Sequence, residues 1–164
     1  MRPGGYSLAE FKKIHSDWDA VFAQKGWGSI FLGNHDFPRA VSRWGNDEPK
    51  YHFYAATLLH TFLFTMRGTP YVYFGDEIGM TNVRFDKIED YRDIGTLNAY
   101  KKAMKEGDNL DEFFNNHKES SRDNARVPMQ WNKEKNAGFT EAEPWIKVNP
   151  NYATINVEEQ ELKP

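Results

Sequence analysis

Two short apolar runs, each followed by one glycine and then by polar side chains, constrain the fold of this chain most strongly. The first run is residues 29–32, and the tripeptide Asn-His-Asp follows it at residues 34–36. The second is residues 71–74, followed by Gly-Asp-Glu at residues 75–77. Apolar runs of this length, with β-branched and aromatic members, are typical of buried strands. Both predicted strands therefore end in carboxylates.

Residues 50–66, between the two runs, predict a long helix that is apolar on nearly all faces, as a buried helix is. A strand, a helix and a strand in this order form a βαβ unit, whose strands are parallel. Residues 34–36 and 75–77 are therefore expected at the same ends of adjacent strands, where parallel α/β folds place their chemistry.

The remainder of the chain predicts less regular structure. Helical spacing indicates an amphipathic helix at about residues 8–23, with a capping box from Ser7 to Glu10 and a stop at Gly26. Residues 36–49 predict a loop. Beyond residue 77, short helices are predicted at residues 97–106 and 110–118, and no strand over residues 78–150. We interpret residues 86–93 as a charge-dense solvated turn and residues 157–164 as a loose charged tail. A connection as long as residues 78–150 with so little regular structure is typical of functional loops.

Composition excludes several classes of protein. Of 164 residues, 24 are acidic and 21 are basic, and the net charge of −3 argues against a nucleic-acid-binding protein. The absence of cysteine excludes a disulfide framework and a thiol nucleophile. No apolar stretch approaches the ~20 residues of a membrane span, and the first residues are too polar for a signal peptide. We therefore expect no membrane or nucleic-acid partner, and a location in either the cytoplasm or the periplasm.

The predicted strands are too few to stand alone. Parallel sheets need several strands and a covering layer on both faces, and this chain predicts only two strands and few helices to cover them. We therefore expect a piece of a larger protein, which self-associates through its exposed apolar surface.

Spacing leaves more than one use open for the residues at the strand ends. Asp36 with Asp76 or Glu77 makes a candidate carboxylate pair at the separations that glycosidases use, although such pairs more often cap loops than catalyse. His35, Asp36 and Asp76 make a candidate metal site, but the second histidine that is usual in such a site is missing.

Arg122 and Arg126 are a further candidate pair. They are four residues apart, so both project to one side of a helical turn. Such a pair of guanidinium groups suits a carboxylate or vicinal hydroxyl groups. A surface ion pair with Asp123 is the alternative.

Longer segments carry a resemblance to a known family. F-L-G-N-H-D-F-P-R resembles the Asn-His-Asp segment of the α-amylase superfamily of glycoside hydrolases (family 13), and G-T-P-Y-V-Y-F-G-D-E-I-G-M resembles the strand that follows it. R-D-N-A-R-V-P-M-Q-W, N-A-G-F-T and P-W-I-K-V-N-P-N-Y resemble the oligo-1,6-glucosidase and α-glucosidase branch. The resemblance implies an α/β fold in which residues 1–164 are the C-terminal part of a (β/α)8 barrel. They would hold about the last two strands, their helices and a long loop after strand eight, and no complete domain.

The resemblance also implies roles for three residues. Asp36 is similar to the family's third catalytic carboxylate, which stabilises the transition state. His35 is similar to the neighbour that hydrogen-bonds a sugar hydroxyl, and Arg126 to the arginine that holds the non-reducing-end glucose. The nucleophilic aspartate and the acid/base glutamate would lie outside this chain, so Asp76 and Glu77 are not expected to be catalytic partners of Asp36.

The expected substrate is a short oligosaccharide, and the chain by itself is expected to be inactive. No cofactor or metal is expected within it, because the calcium site common in the family would lie outside. A trehalose-6-phosphate hydrolase, a sucrose-isomerising enzyme and a non-catalytic binding or scaffold protein are the alternatives. Phe37 stands where the family often has Gln, and residues 74–76 where it often has Gln-Gly-Glu. Both departures lie beside the strand ends and indicate an altered substrate preference.

Overall fold

A computed structural model describes residues 7–161 of the chain. In chain order its helices and strands are α1 (Leu8–Lys25), β1 (Ser29–Phe31), α2 (Ala40–Trp44), α3 (Pro49–Thr65), β2 (Thr69–Tyr71), α4 (Ile94–Glu106), α5 (Leu110–Ser120), α6 (Asp123–Arg126) and α7 (Val157–Glu161). Short turns of 3₁₀ helix lie at Asp76–Ile78, Ile88–Asp90, Lys135–Gly138 and Pro150–Ala153. The described residues thus form an α/β structure in which helices predominate.

The two strands are adjacent and parallel, and their register pairs Ser29 with Thr69 and Phe31 with Tyr71. Because α3 lies between them in the sequence, the predicted βαβ unit is confirmed. Residues 34–36 and 75–77 follow the carboxyl ends of β1 and β2, so their predicted position at one edge of the sheet is also confirmed.

Helix α1 begins where the capping box predicts. The Ser7 hydroxyl accepts a hydrogen bond from the Glu10 amide at 3.3 Å, which satisfies one of the free N–H groups in the first turn. The helix ends at Lys25, slightly later than predicted, and the amide of Gly26 donates to the carbonyl of Phe22. Local sequence signals therefore set both ends of this helix.

One predicted strand and two segments predicted to be irregular differ from the structure. Strand β2 begins at Thr69 and ends at Tyr71, whereas the apolar run predicts residues 71–74. Pairing with β1 decides these bounds, and the chain then turns, with the Asp76 amide donating to the Tyr73 carbonyl at 2.9 Å. The predicted loop at residues 36–49 contains α2, and the predicted loose tail contains α7. Residues 162–164 of that tail lie outside the described residues.

The buried core lies beyond β2, in the stretch that the sequence predicts to be without strands. Its apolar members are Ile78, Met80, Phe85, Tyr91, Val127 and Ile146. The side-chain oxygen of Asn124 accepts hydrogen bonds from the amides of Val83 and Arg84 at 3.0 and 3.1 Å. Asn149 donates to the Thr81 carbonyl at 2.9 Å. Because buried backbone groups need partners, these asparagines allow a compact excursion with little regular structure.

Helices α1 and α3 leave apolar surface uncovered. Within the described residues, α1 has no buried side chain and α3 has one, Leu63. Leu58 and Phe64 of α3 are 68% and 58% exposed, so a helix with the composition of a buried one exposes apolar surface here, as expected of a chain that lacks its neighbours. No helix among residues 7–161 is both long enough and apolar enough to cross a membrane.

The isolated chain is expected to self-associate, because the uncovered faces of α1 and α3 form a large apolar surface. Light scattering after size exclusion should show a mass that rises with protein concentration. Replacing Leu58 and Phe64 by glutamine should lower that mass while the helical circular dichroism signal is kept. A monodisperse monomer with a cooperative melt at high concentration would contradict this expectation.

Candidate active site

The loop after β1 presents Asp36 at the end of the sheet. The side-chain oxygen of Asn34 accepts a hydrogen bond from the Asp36 amide at 2.8 Å, which fixes the turn. The Nε2 atom of His35 lies 3.5 Å from the Oδ2 atom of Asp36. The Asp36 side chain is 48% exposed, so a ligand can reach this carboxylate from solvent.

Two arginines hold the other carboxylate oxygen of Asp36. Arg122 Nη1 and Arg126 Nη2 donate to Asp36 Oδ1 at 3.1 and 3.4 Å. Arg122 is the N-cap residue of the short helix α6 and Arg126 is its last residue, so their predicted projection to one side is confirmed. Arg126 Nε also donates to the backbone carbonyl of His35 at 2.9 Å. The two arginines thereby fix both the side chain of Asp36 and the backbone before it.

Asp93 is a second carboxylate on the same arginines, and sequence reasoning missed it. Its Oδ1 atom lies 3.1 Å from Arg122 Nε and 3.4 Å from Arg126 Nη1. Its Oδ2 atom accepts a hydrogen bond from the Thr96 amide at 2.9 Å and so caps α4. The side chain is only 7% exposed, so the interpretation of residues 86–93 as a solvated turn is wrong at Asp93. The pattern Asp-Ile-Gly-Thr signals the cap, but nothing local signals the arginines.

We call Asp36, Asp93, Arg122 and Arg126 the Asp–Arg cluster. It alternates two carboxylates with two guanidinium groups, so its formal charges cancel. Asp123, the alternative partner of Arg122, is fully buried and lies outside the cluster. Its Oδ2 atom accepts hydrogen bonds from the amides of Arg92 and Asp93 at 2.6 and 2.8 Å. The surface-pair alternative is therefore wrong, and Asp123 fixes the backbone at Asp93.

The carboxylates after β2 have other partners. Glu77 accepts a hydrogen bond from the Gly75 amide at 2.6 Å, and Asp76 Oδ1 lies 3.9 Å from Arg39 Nη1. No group of three histidine or acidic side chains among residues 7–161 is arranged to hold a metal ion. The structure therefore does not bring His35, Asp36 and Asp76 together as a metal site.

Burial shifts the ionisation of Asp76 and Arg39. It raises the pKa of the Asp76 carboxyl from 3.8 to about 6, although the Arg39 guanidinium offsets part of this rise. Burial also lowers the pKa of Arg39 to about 10. Both shifts have the same cause, since a poorly solvated environment disfavours the charged form of each group. Asp76 therefore changes charge near pH 6.

Comparison with known proteins assigns the family. The alpha-amylase family model, described as the alpha amylase catalytic domain, matches residues 4–164. The chain belongs to the α-amylase family. The oligo-1,6-glucosidase of Parageobacillus thermoglucosidasius is 54% identical over 162 residues, which cover 94% of this chain and 29% of that enzyme. The chain thus spans less than a third of this α-amylase relative.

Two solved structures of α-amylase relatives superpose closely on the chain. A variant of trehalose-6-phosphate hydrolase from Bacillus licheniformis has a TM-score of 0.93 and 45% identity, covering 97% of this chain and 29% of that one. A variant of isomaltulose synthase from Erwinia rhapontici NX5, in complex with sucrose, has a TM-score of 0.91 and 43% identity, covering 99% and 29%.

Because the chain is 54% identical to the matching segment of this oligo-1,6-glucosidase, a hybrid of the two provides a full-length enzyme in which to test variants. In the hybrid enzyme, this chain replaces the segment of the Parageobacillus thermoglucosidasius oligo-1,6-glucosidase that it matches. All variants below are compared in this hybrid enzyme.

The pKa of Asp76 predicts how stability depends on pH. Because folding raises this pKa above the unfolded value, the folded state holds the proton more tightly, and the free energy of unfolding falls as pH rises from 4 through 6. A rise of this size corresponds to about 3 kcal/mol. Asp76→Asn removes this titration. The melting temperature of the variant, relative to that of the unmodified hybrid enzyme, should therefore rise between pH 4.5 and 7. Parallel melting curves across this range would contradict the assignment.

Proposed function

We propose that this chain forms about the last two strands of a (β/α)8 barrel, with their helices and the long loop after the last strand. The whole protein would be a retaining α-glucosidase of the oligo-1,6-glucosidase type, acting on short α-glucosides. The parallel βαβ unit supports this proposal, as does the match of nearly the whole chain to 29% of much longer relatives. The other strands would supply the nucleophile and the acid/base residue.

The placement of Asp36 carries the proposal. A half-exposed carboxylate lies at the carboxyl end of a parallel strand, and two arginines hold its Oδ1 atom. Active sites of barrel enzymes lie at this end of the strands. The arginines restrict rotation of the carboxylate, so its position is set before substrate arrives.

Asp36 would stabilise the transition state without transferring a proton. In a retaining reaction a covalent glycosyl-enzyme intermediate forms and is then hydrolysed, and both steps pass through an oxocarbenium-like transition state. An ionised carboxylate near the anomeric carbon stabilises the positive charge that develops there. It also accepts hydrogen bonds from sugar hydroxyl groups, and the Oδ2 atom is the one free of arginine contacts within the described residues.

Arg126 and His35 would bind the glucose unit. A guanidinium group has five N–H donors, and the contacts to His35, Asp93 and Asp36 use one on each nitrogen. One donor remains on each terminal nitrogen, so Arg126 can hold two hydroxyl groups while the Asp–Arg cluster fixes its orientation. The imidazole of His35, which is 69% exposed, supplies a further hydrogen bond beside Asp36.

Trehalose-6-phosphate hydrolysis is a second candidate, because the hydrolase from Bacillus licheniformis superposes with a TM-score of 0.93. Turnover of isomaltose, maltose, sucrose and trehalose 6-phosphate by the natural longer protein would separate these activities. The presence of His35, Asp36 and Arg126 argues against a non-catalytic scaffold.

Asp36→Asn in the hybrid enzyme should lower kcat on an aryl α-glucoside by about 10²–10³ or more, as loss of one preorganised electrostatic group does. The melting temperature should change little, because asparagine is nearly isosteric and the site is half-exposed. Asp86→Asn is the matched control, since Asp86 is an exposed carboxylate paired with Lys118. A near-normal kcat for Asp36→Asn would remove Asp36 from the catalytic residues.

Arg126→Ala should raise KM at least as much as it lowers kcat, because Arg126 is proposed to hold the glucose itself. Arg122→Ala is the comparison, since Arg122 contacts Asp36 and Asp93 in a similar way but is proposed to bind no sugar. It should lower kcat with a smaller change in KM. Identical effects of the two variants on KM would show that Arg126 acts only through Asp36.

A further inference from the structure

Arg39 is a fully buried charge whose role the proposed function does not include. It follows Asp36 by three residues and is 1% exposed. Its Nη1 atom donates to the carbonyl of Phe74 at 2.5 Å, and its guanidinium carbon lies 4.8 Å from the centre of the Phe74 ring. Its Nε and Nη2 atoms have no hydrogen-bond partner among residues 7–161. A buried charge with so few partners is costly, so its presence here needs a physical explanation.

Asp76 is the carboxylate that faces Arg39, and it also touches the end of β1. Its Oδ1 atom lies 3.9 Å from Arg39 Nη1. A Cβ atom on Gly33 would lie 2.7 Å from Asp76 Oδ2, so the carboxylate packs directly on the backbone there. A side chain at position 75 is also disfavoured, since a Cβ atom there would meet Met80 Sδ first and would lie 3.0 Å from Arg39 Nη1, and the φ of Gly75 is +86°.

Each of the two strand ends contributes one side chain that contacts the backbone after the other strand. Arg39, from the loop after β1, binds the backbone after β2 at Phe74. Asp76, from the turn after β2, packs on Gly33 at the end of β1. The Arg39 amide also donates to the side-chain oxygen of Asn82 at 2.9 Å. Residues 33–39, which carry His35 and Asp36, are therefore held at both ends.

We propose that Arg39 and Asp76 are a positioning pair, which fixes the 33–39 loop against the end of β2 and thereby sets the position of the Asp36 carboxylate. The inference rests on the proposed role of Asp36 and adds two residues that touch no substrate. A displacement of about 1 Å in a reacting group can cost about 10²-fold in rate, so a rigid support for Asp36 has a direct effect on kcat.

The pair is sensitive to pH because Asp76 titrates. The titratable and charged groups that interact with its carboxylate are Arg39, His60 of α3, Glu77 and Tyr73. Below pH 6 the carboxyl is mainly neutral and Arg39 has no counter-charge from it. Above pH 6 the pair is ionic, and Asp76 then carries the counter-charge that orients the Arg39 guanidinium.

The test measures kcat per active site for Arg39→Lys, Asp76→Asn and the double variant in the hybrid enzyme. Active sites are counted by titration with a covalent inactivator, so loss of folded protein does not lower the value. Each single variant should lower kcat at least about tenfold, with KM for the aryl glucoside changed less than about twofold. The double variant should be no worse than either single variant, because both changes break one interaction.

A pH profile separates positioning from a merely structural role. Asparagine imitates the neutral carboxyl at every pH, so the ratio of kcat between the unmodified hybrid and Asp76→Asn should rise as pH passes through 6. The matched control is Arg67→Lys, because Arg67 pairs with Asp19 at 2.6 Å before the start of β2, at the opposite end of the strands. This variant should leave both kcat and its pH profile unchanged.

Each outcome decides between the two proposals. A folded but inactive hybrid enzyme overturns the proposed function and this inference together. An active hybrid whose Arg39 and Asp76 variants lose melting temperature but keep kcat per active site overturns only the positioning pair. If the Arg39 variant does not fold, a constant ratio of kcat across pH 5–7 for Asp76→Asn would still overturn it.

Discussion

The parallel pairing of two three-residue strands is the interaction on which the rest of this structure depends. It aligns Ser29–Phe31 with Thr69–Tyr71, and the alignment brings the loops after β1 and β2 to one edge. Helix α6 then packs on that edge, where the Tyr73 hydroxyl donates to the Ala125 carbonyl at 3.1 Å. Shifting the register would separate these loops, so the geometry of the Asp–Arg cluster follows from very few backbone hydrogen bonds.

Beyond β2, short polar side chains accept hydrogen bonds from backbone amides that strand pairing would satisfy in a sheet. Asp123 binds two successive backbone amides and fixes Asp93, which in turn caps α4 and holds two arginines. The arginines then hold Asp36 on the other side of the edge. This series of contacts connects the buried Asp123 to the exposed Asp36, so the position of Asp36 depends on the buried residues beneath it.

Sequence patterns predicted the features whose causes are local. The spacing of apolar residues and the Ser7 cap gave α1, and a long apolar run gave α3. Strand β2 was displaced because its bounds depend on pairing with β1 rather than on its own apolar residues. Helix α2, only five residues long, is too short for helical spacing to reveal. The burial of Arg39 and Asp93 was missed because each depends on partners far away in the sequence, which charge and spacing do not indicate.

The absence of a side chain at Gly33 makes the residues that positions 33 and 76 can accept depend on each other. A methyl group at position 33 would meet the Asp76 carboxylate at 2.7 Å, far inside ordinary contact distance. Alanine at position 33 is therefore expected to displace the Asp76 carboxylate unless residue 76 has first become shorter, so the order of substitutions matters. A mutant library that varied the two positions separately would miss the combinations that fold, whereas one that varied them together would find them.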